Sequence, residues 1–262
     1  ARRFLTSPCS FPPSDCGLTD YPVTSLASSI QDRTQLTLLD LTRNPFQDGG
    51  LEAIGSLLLG PDGSLNVLRV ADCHYTKAGA VVIASCLETN TSLTELDLRG
   101  AQLRPEDHEV FAPPLVKYNT SLKALFLGEH TTHGLQPQRP YESPYLDSFG
   151  DATAIKFAEV LRVNPALEAL SLGEFSGAGA AALADAVPFA KSLTSLHVLQ
   201  PRRLGRASAL AFAEATKRSI CEASARRTRR PGDDEESFSG LAAVYGINLQ
   251  LVWREMGMSI GA

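Results

Sequence analysis

The stretch Leu93-Thr-Glu-Leu96-Asp-Leu98-Arg-Gly-Ala101 decides the fold, because its spacing of leucines recurs along the chain. The pattern Leu-x-x-Leu-x-Leu (or Val) opens at six leucines: Leu36, Leu65, Leu93, Leu122, Leu167 and Leu193. Successive opening leucines are 29, 28, 29, 45 and 26 residues apart. A period of this length indicates a repeat architecture, in which each unit buries its apolar face only against its neighbours.

Each unit combines a strand with a helix. Within the leucine pattern, alternate side chains are buried and the others exposed, as in a strand. After the first strand, apolar or small residues recur at four-residue steps, at Phe46, Gly50, Ile54 and Leu58, which is typical of a helix. The next two units repeat these steps at Tyr75, Gly79, Ile83 and Leu87, and at Leu103, Asp107, Phe111 and Leu115. We therefore predict an α/β solenoid, a horseshoe with a parallel inner sheet and outer helices.

Both ends of the chain read as degenerate units. A shift of 28 residues places Cys16 over Asn44, and the matching strand near Phe11 is flanked by prolines, which favours an edge strand. Near the C terminus, alternating apolar residues predict one more strand. The predicted organisation is an N-terminal cap at 1–35, leucine-rich units at 36–216, and a charged loop with a cap strand at 217–262.

The 45-residue step contains an insertion at residues 131–147. Its three prolines predict an extended loop rather than a helix. Tyr141 and Tyr145 are large side chains in this surface segment, and long loops in compact domains are often functional. A tolerated insertion without a function is the alternative.

The composition excludes several classes of protein. Hydrophobic residues make up 44% of the chain and the formal net charge is −5, so the chain is expected to be globular rather than disordered. No apolar run approaches the ~20 residues of a membrane span. The net negative charge also gives the chain no general affinity for nucleic acids, which bind to basic surfaces.

Five cysteines form an odd and sparse set, which does not indicate a secreted disulfide framework. We therefore expect a reduced, cytoplasmic protein, although a bridge between Cys9 and Cys16 remains open. Two potential glycosylation sites, at Asn90 and Asn119, occupy the same position of successive units. We interpret them as part of the repeat pattern.

The repeat, with Asn44 or Cys73 following the strand, resembles the ribonuclease-inhibitor-like class of leucine-rich repeats over roughly residues 8–216. That class accepts asparagine or cysteine at this position. Other residues stand there in the later units, which predicts irregular turns after the third to sixth regular strands. The resemblance implies the architecture and says little about biochemical activity.

The side chains between the core leucines are predicted to face the concave side of the sheet. The central row runs from Asp40 through Phe126 to His197, and an aromatic residue there has no role in the core. Mutual pairing of the charges is one interpretation, and a polar rim around an apolar anchor for a partner is the other. The predicted partner-binding residues are Asp40, Arg43, Arg69, Asp72, Asp97, Arg99, Phe126, Glu129 and His197 on this face, with Tyr141 and Tyr145 in the loop.

The sequence shows no catalytic motif and predicts no metal or other cofactor. It has no phosphate-binding loop, no HExxH and no GxSxG. His130 and His133 are spaced for a shared metal on a helix, but they fall where a strand enters the proline-rich loop.

The leading hypothesis is therefore a non-catalytic protein-interaction module or scaffold within a larger chain or assembly. Similar repeats occur in two other classes, which remain as alternatives. One is the Ran-type GTPase-activating proteins, whose acidic tail is matched here only by the short run Asp233–Glu236. The other is the ligand-sensing repeat region of NACHT-type immune receptors.

Overall fold

The computed structural model describes residues 9–11, 14–30, 36–60, 64–101, 103–128, 149–173 and 175–198. Their strands form one parallel seven-stranded sheet in sequential order from β1 to β7. The strands are β1 Cys9–Phe11, β2 Leu36–Asp40, β3 Val67–Arg69, β4 Glu95–Asp97, β5 Ala124–Phe126, β6 Ala169–Leu172 and β7 Ser195–Val198. The helices are α1 Asp20–Ile30, α2 Asp48–Leu58, α3 Lys77–Leu87, α4 Ala112–Lys117, α5 Asp151–Val163 and α6 Gly177–Ala186, with 3-10 segments at Pro105–Phe111 and Val187–Phe189. The predicted α/β solenoid is confirmed, and β1 lies at the edge of the sheet.

The leucines of the repeat form the core between the sheet and the helices. The row Leu39, Leu68, Leu96, Leu125, Leu170 and Leu196 is no more than 2% exposed. Burying each of these side chains contributes about 2 kcal/mol to stability. Because each row continues through neighbouring coils, the leucine period itself sets how the coils stack.

Aspartates at the helix starts tie adjacent repeats together. Asp48 Oδ1 accepts hydrogen bonds from the backbone N–H groups of Thr76 (2.8 Å) and Gly79 (3.0 Å), at the start of the next helix. Asp151 accepts the equivalent bonds from Ser176 and Gly179, and Asp20 caps α2 in the same way. Partial burial alone would raise the pKa of Asp151, but the hydrogen bonds from Ser176 and Gly179 lower it overall. A Cβ at Gly79 would lie 2.7 Å from Asp48 Oδ1, so this cap requires a glycine.

The helix predicted for residues 103–115 is replaced by a 3-10 segment, Pro105–Phe111, followed by the short α4. Pro113 and Pro114 have no N–H to donate, so a regular helix through this unit would lose two hydrogen bonds. The four-residue steps still mark the buried positions, since Leu103, Asp107, Phe111 and Leu115 are at most 8% exposed.

The turn after β4 is regular, contrary to the prediction of irregularity there. Asp15, Arg43, Asp72 and Gly100 occupy the same repeat position and all have φ between 54° and 70°. Each donates its N–H to a carbonyl of the next turn, at 2.7–2.9 Å. Gly100 satisfies the left-handed backbone without a Cβ, and a Cβ there would overlap the carboxylate of Asp72. After β5 the left-handed residue is Gly128, one position earlier, so irregularity begins at that turn.

Buried asparagines link the turns that lead into β4, β5 and β6. Asn119 donates its amide to the carbonyls of Leu87 (2.8 Å) and Asn90 (3.1 Å), and it accepts from the N–H of Leu122 (2.9 Å). Asn90 and Asn164 make equivalent bonds, and all three side chains are at most 7% exposed. The two potential glycosylation sites are therefore structural asparagines of the repeat, as the sequence indicated.

Several predictions concern residues outside the described ranges. They are the insertion at 131–147, the charged loop and cap strand at 217–262, and the residues Glu129, His130 and His133.

Candidate functional site

The concave face carries the row of side chains that the alternation predicted. In the sheet register Asp40 pairs with Arg69, Arg69 with Asp97, and Asp97 with Phe126. The row continues from Phe126 to Ser171 and His197. Strands spaced about 4.8 Å apart place these six side chains on one line of roughly 25 Å.

Charges at the N-terminal half of this row are already paired with one another. Arg69 donates from Nε and Nη2 to Glu95 Oε1, at 2.9 and 2.8 Å, and Nη1 lies 3.9 Å from Asp40 Oδ2. Glu95 was missed by the sequence analysis, although it lies two residues before Asp97 and alternation places it on the same face. Since Arg69 is 39% exposed, these pairs contribute at most ~1 kcal/mol to stability.

Arg99 connects the charged half of the face to Phe126. Its Nε and Nη2 donate to the two carboxylate oxygens of Asp97, at 2.9 and 2.6 Å. Its guanidinium carbon lies 5.2 Å from the centre of the Phe126 ring, a cation–π distance. The hydrogen bond to Asp97 is the main cause of a raised pKa for Arg99. Asp97 is only 3% exposed, so the accessible group of this ion pair is the Arg99 guanidinium and not the Asp97 carboxylate.

Arg43 and Asp72 lie at the left-handed turn position, on the rim that follows the strands. Arg43 is exposed and Asp72 is half-buried. Each donates its backbone N–H to the next turn, so the turns hold both residues at a fixed spacing.

The C-terminal half of the concave face is lined mainly by small residues. Ala124 and Ala169 stand beside the central row, and Gly128 and Gly173 follow it. Phe126 is half-buried and His197 is exposed. The concave face therefore carries paired charges at β2–β4, whereas at β5–β7 it carries mainly small side chains together with Phe126 and His197.

The two buried thiols of the described residues are structural. Cys73 and Cys86 are buried and free, and burial raises the pKa of Cys73 to about 12 and that of Cys86 above its usual value. Cys73 Sγ lies 3.4 Å from the Leu41 carbonyl, which also accepts a hydrogen bond from the Asn44 side-chain amide at 2.8 Å. Cys16 is also a free thiol.

Within the described residues, no three histidine, cysteine or carboxylate side chains come close enough to hold a metal ion. No helix in that part of the chain is long and apolar enough to cross a membrane.

Comparison with known proteins agrees with this geometry. The family model described as "Leucine Rich repeat" matches residues 34–55 and 89–112. NACHT, LRR and PYD domains-containing protein 12 of Mus musculus is 31% identical over 148 residues, 56% of this chain and 12% of that protein. The ribonuclease inhibitor of Mus musculus is 32% identical over 84 residues, 32% of this chain and 18% of that protein.

Among solved structures, leiomodin-1 actin-binding site 2 matches with a TM-score of 0.49 and 15% identity, over 68% of this chain and 92% of that one. The repeat period, the parallel sheet and the sequence matches lead to the same assignment. The chain is a leucine-rich-repeat protein of the ribonuclease-inhibitor-like class.

Proposed function

We propose that this chain is a non-catalytic protein-interaction module that binds a protein partner on its concave face and rim, as part of a larger assembly. The in-register row from Asp40 to His197 carries this proposal. A stacked sheet holds these side chains at a fixed pitch, so little conformational entropy is lost when a partner binds. A reduced, cytoplasmic setting fits the free thiols at Cys16, Cys73 and Cys86.

Phe126 is the side chain best placed to anchor a partner. Aromatic side chains near the centre of an interface often account for most of the binding energy. Phe126 stands on β5, the fifth of the seven strands that the structure describes, between the paired charges and the small-residue half of the face. His197 stands two strands further along the same row.

The test compares the full chain with a Phe126→Ala/His197→Ala variant. A partner is first captured from cell extract on the immobilised chain, then purified, and its dissociation constant is measured by calorimetry. We expect the double variant to weaken binding at least tenfold. Tyr21→Ala is the matched control, because Tyr21 lies on α1 and is 82% exposed. An affinity unchanged in the folded double variant would rule out the concave face as the binding site.

Arg99 is not a suitable residue for this test. Its removal leaves the buried Asp97 carboxylate without its ion partner, and such a loss is strongly destabilising. A lower affinity of an Arg99 variant would therefore report on folding as well as on binding.

A second candidate is the ligand-sensing repeat region of a NACHT-type protein. The match to NACHT, LRR and PYD domains-containing protein 12 favours it. Sequencing the complete transcript is the test. A nucleotide-binding NACHT domain encoded in the same reading frame would support this candidate, and a complete reading frame without one would exclude it.

A further inference from the structure

A second exposed surface lies on the edge of the solenoid where the helices end and the strands begin. Tyr118, Val163 and Phe189 are 57%, 52% and 55% exposed. Each lies four residues before the leucine that opens the next strand, so they occupy equivalent positions in three successive coils. We call these three residues the apolar edge.

Asparagine hydrogen bonds fix the spacing of two of these three residues. Tyr118 directly precedes Asn119 and Val163 directly precedes Asn164. Asn164 donates its amide to the Asn119 carbonyl at 2.9 Å, which joins the two turns. The first two side chains of the apolar edge are therefore held one coil apart before any partner binds.

The segments that carry the apolar edge and lead into the next strands are basic, although the whole chain is acidic and Glu159 and Asp185 lie one helical turn before Val163 and Phe189. Residues 117–123, 162–168 and 189–195 contain four cations and one carboxylate, a net charge of +3 in a chain of net charge −5. Lys123 is paired with that carboxylate, Glu168, at 2.9 Å. Lys117, Arg162 and Lys191 are exposed and make no ion pair within the described ranges, and Arg162 lies 5.1 Å from the centre of the Phe189 ring.

The patch is local. In the preceding coil Thr89 occupies the equivalent position and Glu88 precedes it, so both the apolar and the basic character are absent there. Single exposed apolar residues elsewhere, such as Leu59 on α2's C-terminal end, are normal for a protein surface. Adjacent exposed apolar residues with a charged rim instead mark an interaction surface.

We propose that the apolar edge binds an acidic segment of a partner protein. Apolar side chains of that segment contact Tyr118, Val163 and Phe189, and its carboxylates face Lys117, Arg162 and Lys191. This surface lies apart from the concave row and does not depend on the function proposed for it. Because the cations are exposed, high salt weakens this binding.

The experiment starts from a random 16-residue peptide display library. The library is selected on the immobilised full chain and counter-selected on a Tyr118→Glu/Val163→Glu variant whose fold is checked by circular dichroism. We expect the surviving peptides to combine Asp or Glu with apolar residues. The most enriched peptide is then synthesised, and its dissociation constant is measured by fluorescence anisotropy.

Charge reversal and matched controls complete the test. Lys117→Glu/Arg162→Glu should raise the dissociation constant at least tenfold, and 500 mM salt should raise it several-fold over 50 mM. Leu59→Glu, at a residue 59% exposed, should change it less than twofold, and so should the concave-face variant Phe126→Ala/His197→Ala.

Four outcomes would overturn the proposal. They are enrichment of basic or uncharged peptides, no enrichment that depends on the apolar edge, an affinity insensitive to charge reversal, and a loss of binding in the concave-face variant. Vesicles of phosphatidylserine and phosphatidylcholine form the last arm. Vesicle binding that depends on Tyr118 and Val163, without any selected peptide, would assign the apolar edge to a membrane surface and refute a protein partner.

Discussion

Replacing Asn119 by alanine should lower the free energy of unfolding by about 4 kcal/mol. The side chain is 3% exposed and makes five hydrogen bonds, to the carbonyls of Leu87 and Asn90 and from the Ser121 N–H, the Ser121 hydroxyl and the Leu122 N–H. The Asn90 carbonyl keeps a bond from the Ser121 hydroxyl in the variant.

Two buried groups then lose their partner, the Leu87 carbonyl and the Leu122 N–H. Each unsatisfied buried group costs about 1–3 kcal/mol, which gives about 4 kcal/mol for the pair. Asn119→Asp should not restore stability, because it places a carboxylate oxygen where the amide now meets two carbonyl oxygens.

The measurement is urea unfolding of the full chain, followed by far-ultraviolet circular dichroism. Asn66→Ala is the control, since Asn66 is half-buried and its side chain makes one hydrogen bond, to the Ser92 carbonyl at 2.9 Å. That variant should lose about 1 kcal/mol. If Asn119→Ala loses no more than Asn66→Ala, the asparagine bonds do not hold the coils together as described.

Three further predictions use the same unfolding measurement. Gly100→Ala should lower the free energy of unfolding by about 3 kcal/mol and Gly17→Ala by about 1 kcal/mol. Both glycines have a left-handed backbone, with φ of +70° and +68°, but only at Gly100 would the added Cβ meet a neighbouring turn. Equal losses would contradict this steric explanation. Arg99→Ala should lower the free energy of unfolding by about 3 kcal/mol, because it leaves the buried Asp97 carboxylate without its ion partner. Arg99→Ala/Asp97→Asn should recover part of that loss. Burial lowers the pKa of His108 to about 4, below about 6.5 in the unfolded chain. The neutral imidazole therefore contributes about 3 kcal/mol to the free energy of unfolding above pH 6.5, and this contribution is lost as pH falls towards 4. His108→Leu should flatten the pH dependence of stability, and an unchanged slope would show that other groups cause it.

The repeat period made most of the architecture predictable. Leucines at fixed spacing specify which side chains are buried, and the two-residue period of a strand specifies which ones share a face. For that reason the row from Asp40 to His197 is found in register. The helix of the third unit was predicted wrongly, because the four-residue steps persist through Pro113 and Pro114 while the hydrogen bonds of a regular helix do not.

The sequence could not predict which charges on the concave face pair with one another. Asp97 has the same pattern position as Asp40, yet it is buried under its pairing with Arg99. Glu95 competes for Arg69 from the neighbouring strand. Such pairings depend on side-chain reach across strands, which the sequence spacing does not describe.

By itself the sequence determined the period, the strand faces and the buried leucines, because those follow from local spacing and from the burial of apolar groups. Only the tertiary structure decided how the coils are joined. Asp48, Asn119 and Asp151 each satisfy backbone groups 25 to 32 residues away in the chain. It also decided that Tyr118, Val163 and Phe189 form one surface, because stacking brings residues of different coils together irrespective of the 45-residue step between two of them.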